Sequence, residues 1–411
     1  MRVLFIGSMY APYIGGGAEL VLQNQAESLA ARGHDVHVLT LGLPGTPRED
    51  TRSNGVAIVR VPIRNIYFQG DRQRHGALSK LAWHALDCYN PAAAGVAERL
   101  VRETAPDVVV CHNVPGWSGA VWPALESTGV PVVQVLHDQY VRCIRSNMFK
   151  HDVCGTPCAS CTVMRLPHRR LTQGLGAVVG VSDYILRTLV DDGFFADARI
   201  KTAIRNVSHL DTRDLATPPL AGAEVVFGFI GSINPSKGVE ALLEAFLATA
   251  QPHWRLRVAG TGDPDYVDAL AKRHADARIE FLGRQEPSGF YRGIDVCVTP
   301  SLWNDTLPSV VFESLIHGRP VIGATRGGIP EMVQDGENGI LFDPASGGSL
   351  ARALQAFASD VPHWRARSAA IKSAATALYC DRERWIRDWE ALLVRVIGPA
   401  RAHAPATAAS H

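Results

Sequence analysis

Short apolar runs that end at a glycine or a small residue recur along this chain, and a helical stretch follows each of them. The run at residues 3–6 ends at Gly7, and the run at residues 225–230 ends at Gly231. Continuous apolar runs between helices are typical of strands that are covered on both faces, as in parallel sheets. The pattern therefore predicts an α/β fold made of alternating strands and helices.

This pattern runs through the chain twice, with an interruption at residues 206–223. The interruption is polar, contains Pro218 and Pro219, and shows no hydrophobic period, as is common in interdomain linkers. We expect an N-terminal Rossmann-like domain over 1–207 and a second one over 222–380. We expect a C-terminal helix at 381–398 to pack back toward the N-terminal domain. The Ala-rich tail at 399–411 is expected to be disordered.

Charge and hydropathy exclude several classes of protein. The 411 residues include 41 Lys and Arg and 40 Asp and Glu, which give a net charge of +1. Nucleic-acid-binding proteins need a basic surface to neutralise phosphates, so we expect no nucleic-acid partner. No run approaches the roughly 18 apolar residues of a membrane-spanning helix, and the first run is too short for a signal peptide. We expect a cytoplasmic protein, at most with a peripheral contact with the inner membrane.

Three consecutive glycines, Gly15, Gly16 and Gly17, stand between the first predicted strand and a helix. Such glycines let the backbone approach a ligand, and a helix N-terminus favours negative charge. The spacing is not the G-x-G-x-x-G of dinucleotide-binding folds, which counts against a nicotinamide or flavin enzyme. A tight connection without a ligand is the alternative.

The second half carries a lysine in the corresponding loop and two acids further on. Lys237 follows the strand-end Gly231 and precedes a helix, so it is a candidate for binding a diphosphate. Asp305 lies before a helix that is predicted to start at Ser309, a candidate N-cap, and Glu313 lies one turn inside this helix. Carboxylates accept hydrogen bonds from hydroxyls, so one acid could hold a sugar and the other a ribose. A solvated lysine and a buried, paired glutamate are the alternatives.

Histidines and cysteines mark the first half. His112 and His137 each follow an apolar run, so both are expected at the carboxyl ends of strands, where ligands of α/β sheets bind. Four cysteines with partly knuckle-like spacing could form a zinc site or remain unligated thiols; they are Cys143, Cys154, Cys158 and Cys161. The other four cysteines are expected in the core; they are Cys88, Cys111, Cys297 and Cys380.

Residues 299–322 resemble the donor-binding signature of the retaining glycosyltransferases of family 4. The matching pattern is an acid, Asp305, then seven residues, Glu313, a short helix and Gly318-x-Pro320-Val321. The resemblance covers nearly the whole chain. Its other parts are the glycine loop at 15–19, Lys237-Gly238, the loop at 260–262 and the motifs at 327–331 and 335–339.

The resemblance implies a GT-B fold, in which two Rossmann-like domains have parallel sheets facing a central cleft. It implies transfer of a sugar from a nucleoside-diphosphate sugar to an acceptor hydroxyl with retention of configuration, in polysaccharide or glycolipid biosynthesis. The acceptor, a saccharide or a lipid-linked sugar, would lie on the N-terminal domain, and no cofactor or catalytic metal would be required. A GT-B sugar-nucleotide epimerase and a non-catalytic nucleotide-sugar-binding protein are the alternatives.

The resemblance also assigns roles to individual residues. The catalytic candidates are His112, Lys237 and Asp305. The substrate-binding candidates are Gly16, Gly17, His137, Arg205, Gly231, Gly262, Thr306, Leu307, Pro308, Ser309, Val310 and Glu313. The family usually has glutamate where Asp305 stands, and it often has arginine where Ser232 stands, so Arg205 is a candidate for the missing cation.

Overall fold

The computed structural model describes residues 1–208, 210, 215, 222–249 and 251–398, and all of their side chains except those of residues 72 and 73. The expected tail at 399–411 and much of the expected linker at 206–223 lie outside these ranges. The chain divides into two compact units. Unit 1 comprises Met1–Ser146, Gly155–Arg205 and the chain from Glu383, and unit 2 comprises Asn147–Cys154 and Asn206–Arg382.

Unit 1 is built on an eight-stranded sheet in the order β3-β4-β2-β1-β5-β6-β7-β8. The strands are β1 (Arg2–Ile6), β2 (Asp35–Gly42), β3 (Glu49–Ser53), β4 (Val56–Pro62), β5 (Val108–Cys111), β6 (Val132–Leu136), β7 (Ala177–Gly180) and β8 (Ile200–Ala203). The helices are α1 (Gly17–Ala31), α2 (Ala77–Cys88), α3 (Pro91–Thr104), α4 (Val121–Glu126), α5 (Ala159–Arg165), α6 (His168–Leu171) and α7 (Asp183–Asp191). Neighbouring strands are parallel, except that β3 pairs antiparallel with β4.

Unit 2 is built on a six-stranded parallel sheet in the order β11-β10-β9-β12-β13-β14. The strands are β9 (Val225–Ile230), β10 (Trp254–Ala259), β11 (Ile279–Gly283), β12 (Val296–Thr299), β13 (Val321–Ala324) and β14 (Gly339–Phe342). The helices are α8 (Val239–Thr249), α9 (Pro264–Arg273), α10 (Pro287–Arg292), α11 (Ser309–Ile316), α12 (Ser349–Ser359) and α13 (Val361–Tyr379). Counted within the unit, the strand order is 3-2-1-4-5-6, the doubly wound order of Rossmann folds.

The apolar runs form the centres of both sheets, as the sequence predicts. In β1 the four residues from Val3 to Ile6 are fully buried, because helices cover both faces of the sheet. Each βαβ crossover brings the chain back to the same edge, so all parallel strands of a unit present their carboxyl ends to one side. The predicted α/β class with two Rossmann-like parallel sheets is confirmed.

The last described helix, α14 (Arg382–Ile397), packs within unit 1. Trp389 and Leu393 are almost completely buried, and Glu390 accepts hydrogen bonds at 2.8 Å from Arg32 Nε and the His34 ring. An exposed ion pair contributes about 0–1 kcal/mol, whereas a buried large apolar side chain contributes roughly 1.5–3 kcal/mol. Apolar burial therefore holds this helix in place.

Several local predictions differ from the structure. All five residues of β3 are exposed, so the strand has no apolar pattern by which it could be predicted. Ser309 is the first residue of α11, and Pro308 takes the N-cap position without a side-chain cap, so the predicted Ser309 cap is wrong. Cys88 and Cys380 are half-buried and do not lie in the core. Within the described ranges, no helix has both the length and the apolarity needed to cross a membrane.

Candidate functional site

In unit 2, the loops that follow β9 and β12 meet at the point where the strand order reverses. Ligands of open α/β sheets bind in the crevice at such a point. Gly238, after β9, has a positive φ of 71°, and a β-carbon there would lie 2.0 Å from the Pro300 carbonyl oxygen. Only glycine permits this approach, which brings the lysine loop against the loop that carries Asp305.

The two loops are joined by an ion pair between their charged residues. Lys237 Nζ donates to Asp305 Oδ2 at 2.5 Å, and Nζ also lies 5.3 Å from the centroid of the Trp303 ring. Asp305 is 6% exposed, so this carboxylate has few waters to replace its partner. The structure thus brings the predicted phosphate-binding lysine and the predicted sugar-binding acid into direct contact with each other.

A third loop, which follows β13, holds the Asp305 backbone. The Gly328 N–H donates to the Asp305 carbonyl oxygen at 2.7 Å. Gly327 has a φ of 57°, and a β-carbon there would lie 1.9 Å from the same oxygen. The glycines of the 327–331 motif therefore fix the position of the acid loop.

Glu313 projects from α11 and already has protein partners. Its carboxylate accepts a hydrogen bond from Tyr291 Oη at 3.3 Å and from the Ser309 side chain. Burial raises the pKa of Glu313, and these hydrogen bonds oppose the rise. The His317 ring lies 2.7 Å from the Glu313 carbonyl oxygen. The side chain is held in place, and its contact with a ribose stays a prediction.

The remaining donor-site candidates of unit 2 lie around these loops. Gly231 ends β9, and Gly262 forms an isolated bridge with Ile233 beside it. Thr306, Leu307 and Pro308 are buried in the acid loop, whereas Ser309 is exposed at the start of α11 and Val310 is half-buried. Their contacts with a donor stay predictions.

In unit 1, the two predicted histidines meet at the carboxyl ends of β5 and β6. His112 Nδ1 lies 2.9 Å from His137 Nε2, and His112 Nε2 lies 3.0 Å from Gln25 Oε1. Burial lowers the pKa of His112 well below its usual value and that of His137 to about 4. Both rings are therefore neutral at pH 7 and cannot neutralise a phosphate. The two ring nitrogens of His112 already have protein partners, so its contact with a donor sugar stays a prediction.

The glycine loop leads into α1, and the Glu19 carboxylate of this helix hydrogen-bonds back to the loop. A β-carbon at Gly17 would meet nothing within 4 Å, so the start of α1 has free space beside it. Glu19 is 7% exposed, and its carboxylate accepts hydrogen bonds from the Gly16 N–H and the Asn113 side chain. Burial raises the pKa of Glu19. The sequence analysis gave this residue no role.

Arg205 pairs with Asp183 of its own unit at 3.0 Å, and both side chains are exposed. The structure therefore gives Arg205 an anionic partner within the protein, and its role toward a phosphate stays a prediction.

The predicted cysteine set is only partly gathered. Cys143 Sγ and Cys161 Sγ lie 3.8 Å apart, and the exposed Cys158 thiol lies 3.2 Å from Ser160 Oγ. Hydrogen bonds from Ser160 and Cys161 lower the pKa of Cys158 to about 7. Over the described ranges, one group of three or more possible metal ligands lies within 4.8 Å, and it contains no cysteine. Zinc binding by these cysteines stays a prediction.

A cavity of about 240 Å³ in unit 1 was missed by the sequence analysis. Its lining includes Glu19, Gln69, Asp87 and Arg165, which lie up to 146 positions apart in the chain. The sequence contains only a weak indication of this cavity. Asp87 is a charged residue near the end of an amphipathic helix, and Gln69 follows two aromatic residues in a loop.

Comparisons with known proteins agree with this geometry. Residues 16–202 match the family described as "Glycosyl transferase 4-like domain", and residues 224–360 match "Glycosyl transferases group 1". A relative from Klebsiella pneumoniae, named "Uncharacterized 42.6 kDa protein in cps region", is 29% identical over 334 residues, which are 81% of this chain and 87% of that protein.

Two solved structures show the same fold. Sucrose-phosphate synthase from Thermosynechococcus elongatus has a TM-score of 0.74 at 17% identity, covering 95% of this chain and 98% of that one. Anabaena HepE in complex with UDP and glucose has a TM-score of 0.66 at 20% identity, covering 96% of this chain and 99% of that one.

Proposed function

This chain belongs to the glycosyltransferases of the GT-B fold and the family 4 type, and we propose that it transfers a sugar from a nucleoside-diphosphate sugar to an acceptor hydroxyl with retention of configuration. Its identification as a glycosyltransferase is confirmed by the two family matches. Binding of UDP and glucose by the structurally similar Anabaena protein supports a sugar nucleotide as donor. The proposal includes a role in polysaccharide or glycolipid assembly, which the resemblance to family 4 implies.

The observation that carries this proposal is the Lys237–Asp305 pair at the strand reversal of unit 2. A diphosphate would draw the Lys237 ammonium away from Asp305, and the freed carboxylate would accept hydroxyls of the transferred sugar. Negative charge builds on the diphosphate as the glycosidic bond breaks. A lysine that the loop packing holds beside the diphosphate would stabilise this developing charge. His112, the third catalytic candidate, would hydrogen-bond to the sugar only if Gln25 or His137 gave up its contact with one of the His112 ring nitrogens.

The test begins with calorimetric titration of the full chain with UDP, ADP and GDP. We expect at least one to bind, and we expect Lys237→Ala to weaken its affinity by about 10- to 100-fold, because a charge-assisted contact is lost. Lys272→Ala, an exposed lysine on α9 of the same unit, is the matched control. No binding of any nucleotide at millimolar concentration would contradict the proposed donor site.

The stereochemical part is tested by the product. A transfer reaction with an α-linked sugar nucleotide is expected to give an α-linked product, identified by proton NMR of the anomeric signal. A β-linked product would show inversion and would remove retention from the proposal. Release of a free epimer from the donor alone would instead indicate an epimerase.

A further inference from the structure

The cavity of unit 1 lies where several separate segments of the chain come together. α2 contributes Trp83 and Asp87, α5 contributes Arg165, and the loop before α2 contributes Tyr67 and Gln69. The residues that follow β1 and β5, including Ser8, Glu19 and Asn113, complete the lining. The cavity thus opens beside the carboxyl ends of the two strands at which the strand order of unit 1 reverses.

A buried ion pair forms one wall. Arg165 Nη2 lies 3.2 Å from Asp87 Oδ2, and the two side chains are 3% and 0% exposed. Asp87 also accepts hydrogen bonds from Tyr140 Oη at 2.9 Å and from the Gly116 N–H at 2.6 Å. Asp87 therefore has its hydrogen-bonding capacity largely filled by the protein.

The hydrogen-bonding capacity of Arg165, by contrast, is only partly used. Its Nε and Nη1 are buried and have no hydrogen-bond partner among the described residues. A buried donor without a partner costs about 1–3 kcal/mol, more when it is charged, so a ligand or water that accepts these hydrogen bonds is favoured. Gln69 Oε1, another lining atom, is a buried acceptor without a partner within the described part of the chain.

The charges of the lining restrict what can enter. The lining contains two acidic residues, Glu19 and Asp87, one arginine, Arg165, and one histidine, His84. An anionic group that approached Arg165 would also meet two carboxylates. A hydroxyl both donates and accepts, so it can accept from Arg165 while it donates to Glu19 or to Gln69 Oε1.

We propose that this cavity is the acceptor subsite and that it takes one uncharged, hydroxyl-rich sugar ring. The inference rests on the proposed glycosyltransferase function and names the chemical class of its acceptor. A volume of about 240 Å³ lies below the roughly 300–1,000 Å³ of drug-sized ligand pockets, so it fits a single ring. Tyr67 and Trp83 supply apolar aromatic surface for the ring carbons.

Binding of the sugar is tested first, independently of transfer. Saturation-transfer NMR on the full chain, with and without UDP, compares methyl glycosides of neutral hexoses with hexose 6-phosphates. We expect signals from the neutral glycosides and none from the phosphates at the same millimolar concentration. Stronger binding of the phosphates would overturn the proposal, as would absence of binding by every neutral glycoside in both conditions.

Gln69→Leu keeps the size of the side chain and removes only the amide. We expect it to weaken binding of the neutral glycosides, and to raise the KM for a glycoside acceptor, by about tenfold, as for one lost hydrogen bond. Gln23→Leu is the matched control, because Gln23 is half-buried on α1 of the same unit and does not line the cavity. Equal glycoside affinity of Gln69→Leu and the unsubstituted protein would refute the assignment.

The failures of the two proposals are distinguishable. Calorimetric UDP affinity reports on the proposed donor site of unit 2, and it is expected to be unchanged in Gln69→Leu. An unsubstituted protein that binds neutral glycosides but no nucleotide would contradict the donor site and leave the sugar subsite supported. Normal UDP binding without glycoside binding would contradict the subsite alone.

Discussion

Replacing Gly238 by alanine tests the close approach of the lysine loop to Pro300, on which the proposed donor site depends. Gly238 lies directly after Lys237 with a φ of 71°, and the new methyl group would lie 2.0 Å from the Pro300 carbonyl oxygen. The substitution therefore adds backbone strain and also pushes against the loop that leads to Asp305.

The magnitude follows from these two contributions. A non-glycine residue in the left-handed region costs about 1–2 kcal/mol, and overpacking against a fixed neighbour adds about 1–3 kcal/mol. Gly336 has a φ of 76°, and a β-carbon there would meet nothing within 4 Å. Gly336→Ala thus carries the strain alone, and the free energy of unfolding of the two variants is expected to differ by about 1–3 kcal/mol.

Urea unfolding of both variants, followed with the same probe, measures this difference. The functional counterpart is the rate of sugar transfer, which we expect Gly238→Ala to lower by about 100-fold, because small misplacements of catalytic groups cost that much. Gly336→Ala should keep the original rate. Equal stability of the two variants would refute the close approach of the lysine loop to Pro300, and an unchanged transfer rate would refute its functional importance.

Three further substitutions test the two units. Arg165→Met leaves Asp87 buried without its cation and should lower the free energy of unfolding by about 3–5 kcal/mol in urea, and a loss below 1 kcal/mol would contradict the buried pair. Burial holds the pKa of His137 at about 4, against about 6.5 in an unfolded chain. Between these pH values the folded state binds fewer protons than the unfolded state. The free energy of unfolding therefore falls by about 3 kcal/mol as the pH falls from 6.5 to 4. His137→Gln should reduce this loss in unfolding measurements across that range, and an unaltered pH profile would contradict it. Asp305→Asn releases Lys237 from its partner, so nucleotide affinity by calorimetry should be kept or increased while sugar transfer falls at least about tenfold; a fall in both would show that Asp305 also orients the lysine.

Much of the fold could be predicted because it is encoded locally. The strands at the centre of each sheet are continuous apolar runs, and the glycines that follow them mark the loops at which ligands bind. β3 was not predicted because Glu49–Ser53 contains no apolar residue, although it pairs with β4. The Ser309 cap failed because Pro308 already supplies the extended residue that precedes α11.

The positions of the donor-site candidates within the fold could be predicted for a similar reason. Lys237 and Glu313 each lie within a few residues of a strand end or a helix start, so their positions follow from the βα unit that carries them. What the sequence did not reveal is that Lys237 and Asp305, 68 positions apart, form an ion pair with each other. That contact depends on the close approach at Gly238, a property of tertiary packing.

The proposed sugar subsite differs from the proposed donor site, because no single segment of the sequence indicates it. Asp87 and Arg165 are 78 positions apart, and neither belongs to a motif. Their pairing can be recognised only once α2 and α5 are placed together. From either helix alone, the charged residue would be expected on the solvent-exposed surface. The unpartnered nitrogens of Arg165 are informative for the same reason, since an unsatisfied donor is defined by everything that surrounds it. The proposed donor site is therefore encoded in short motifs, whereas the proposed acceptor subsite depends on contacts between segments that are distant in sequence.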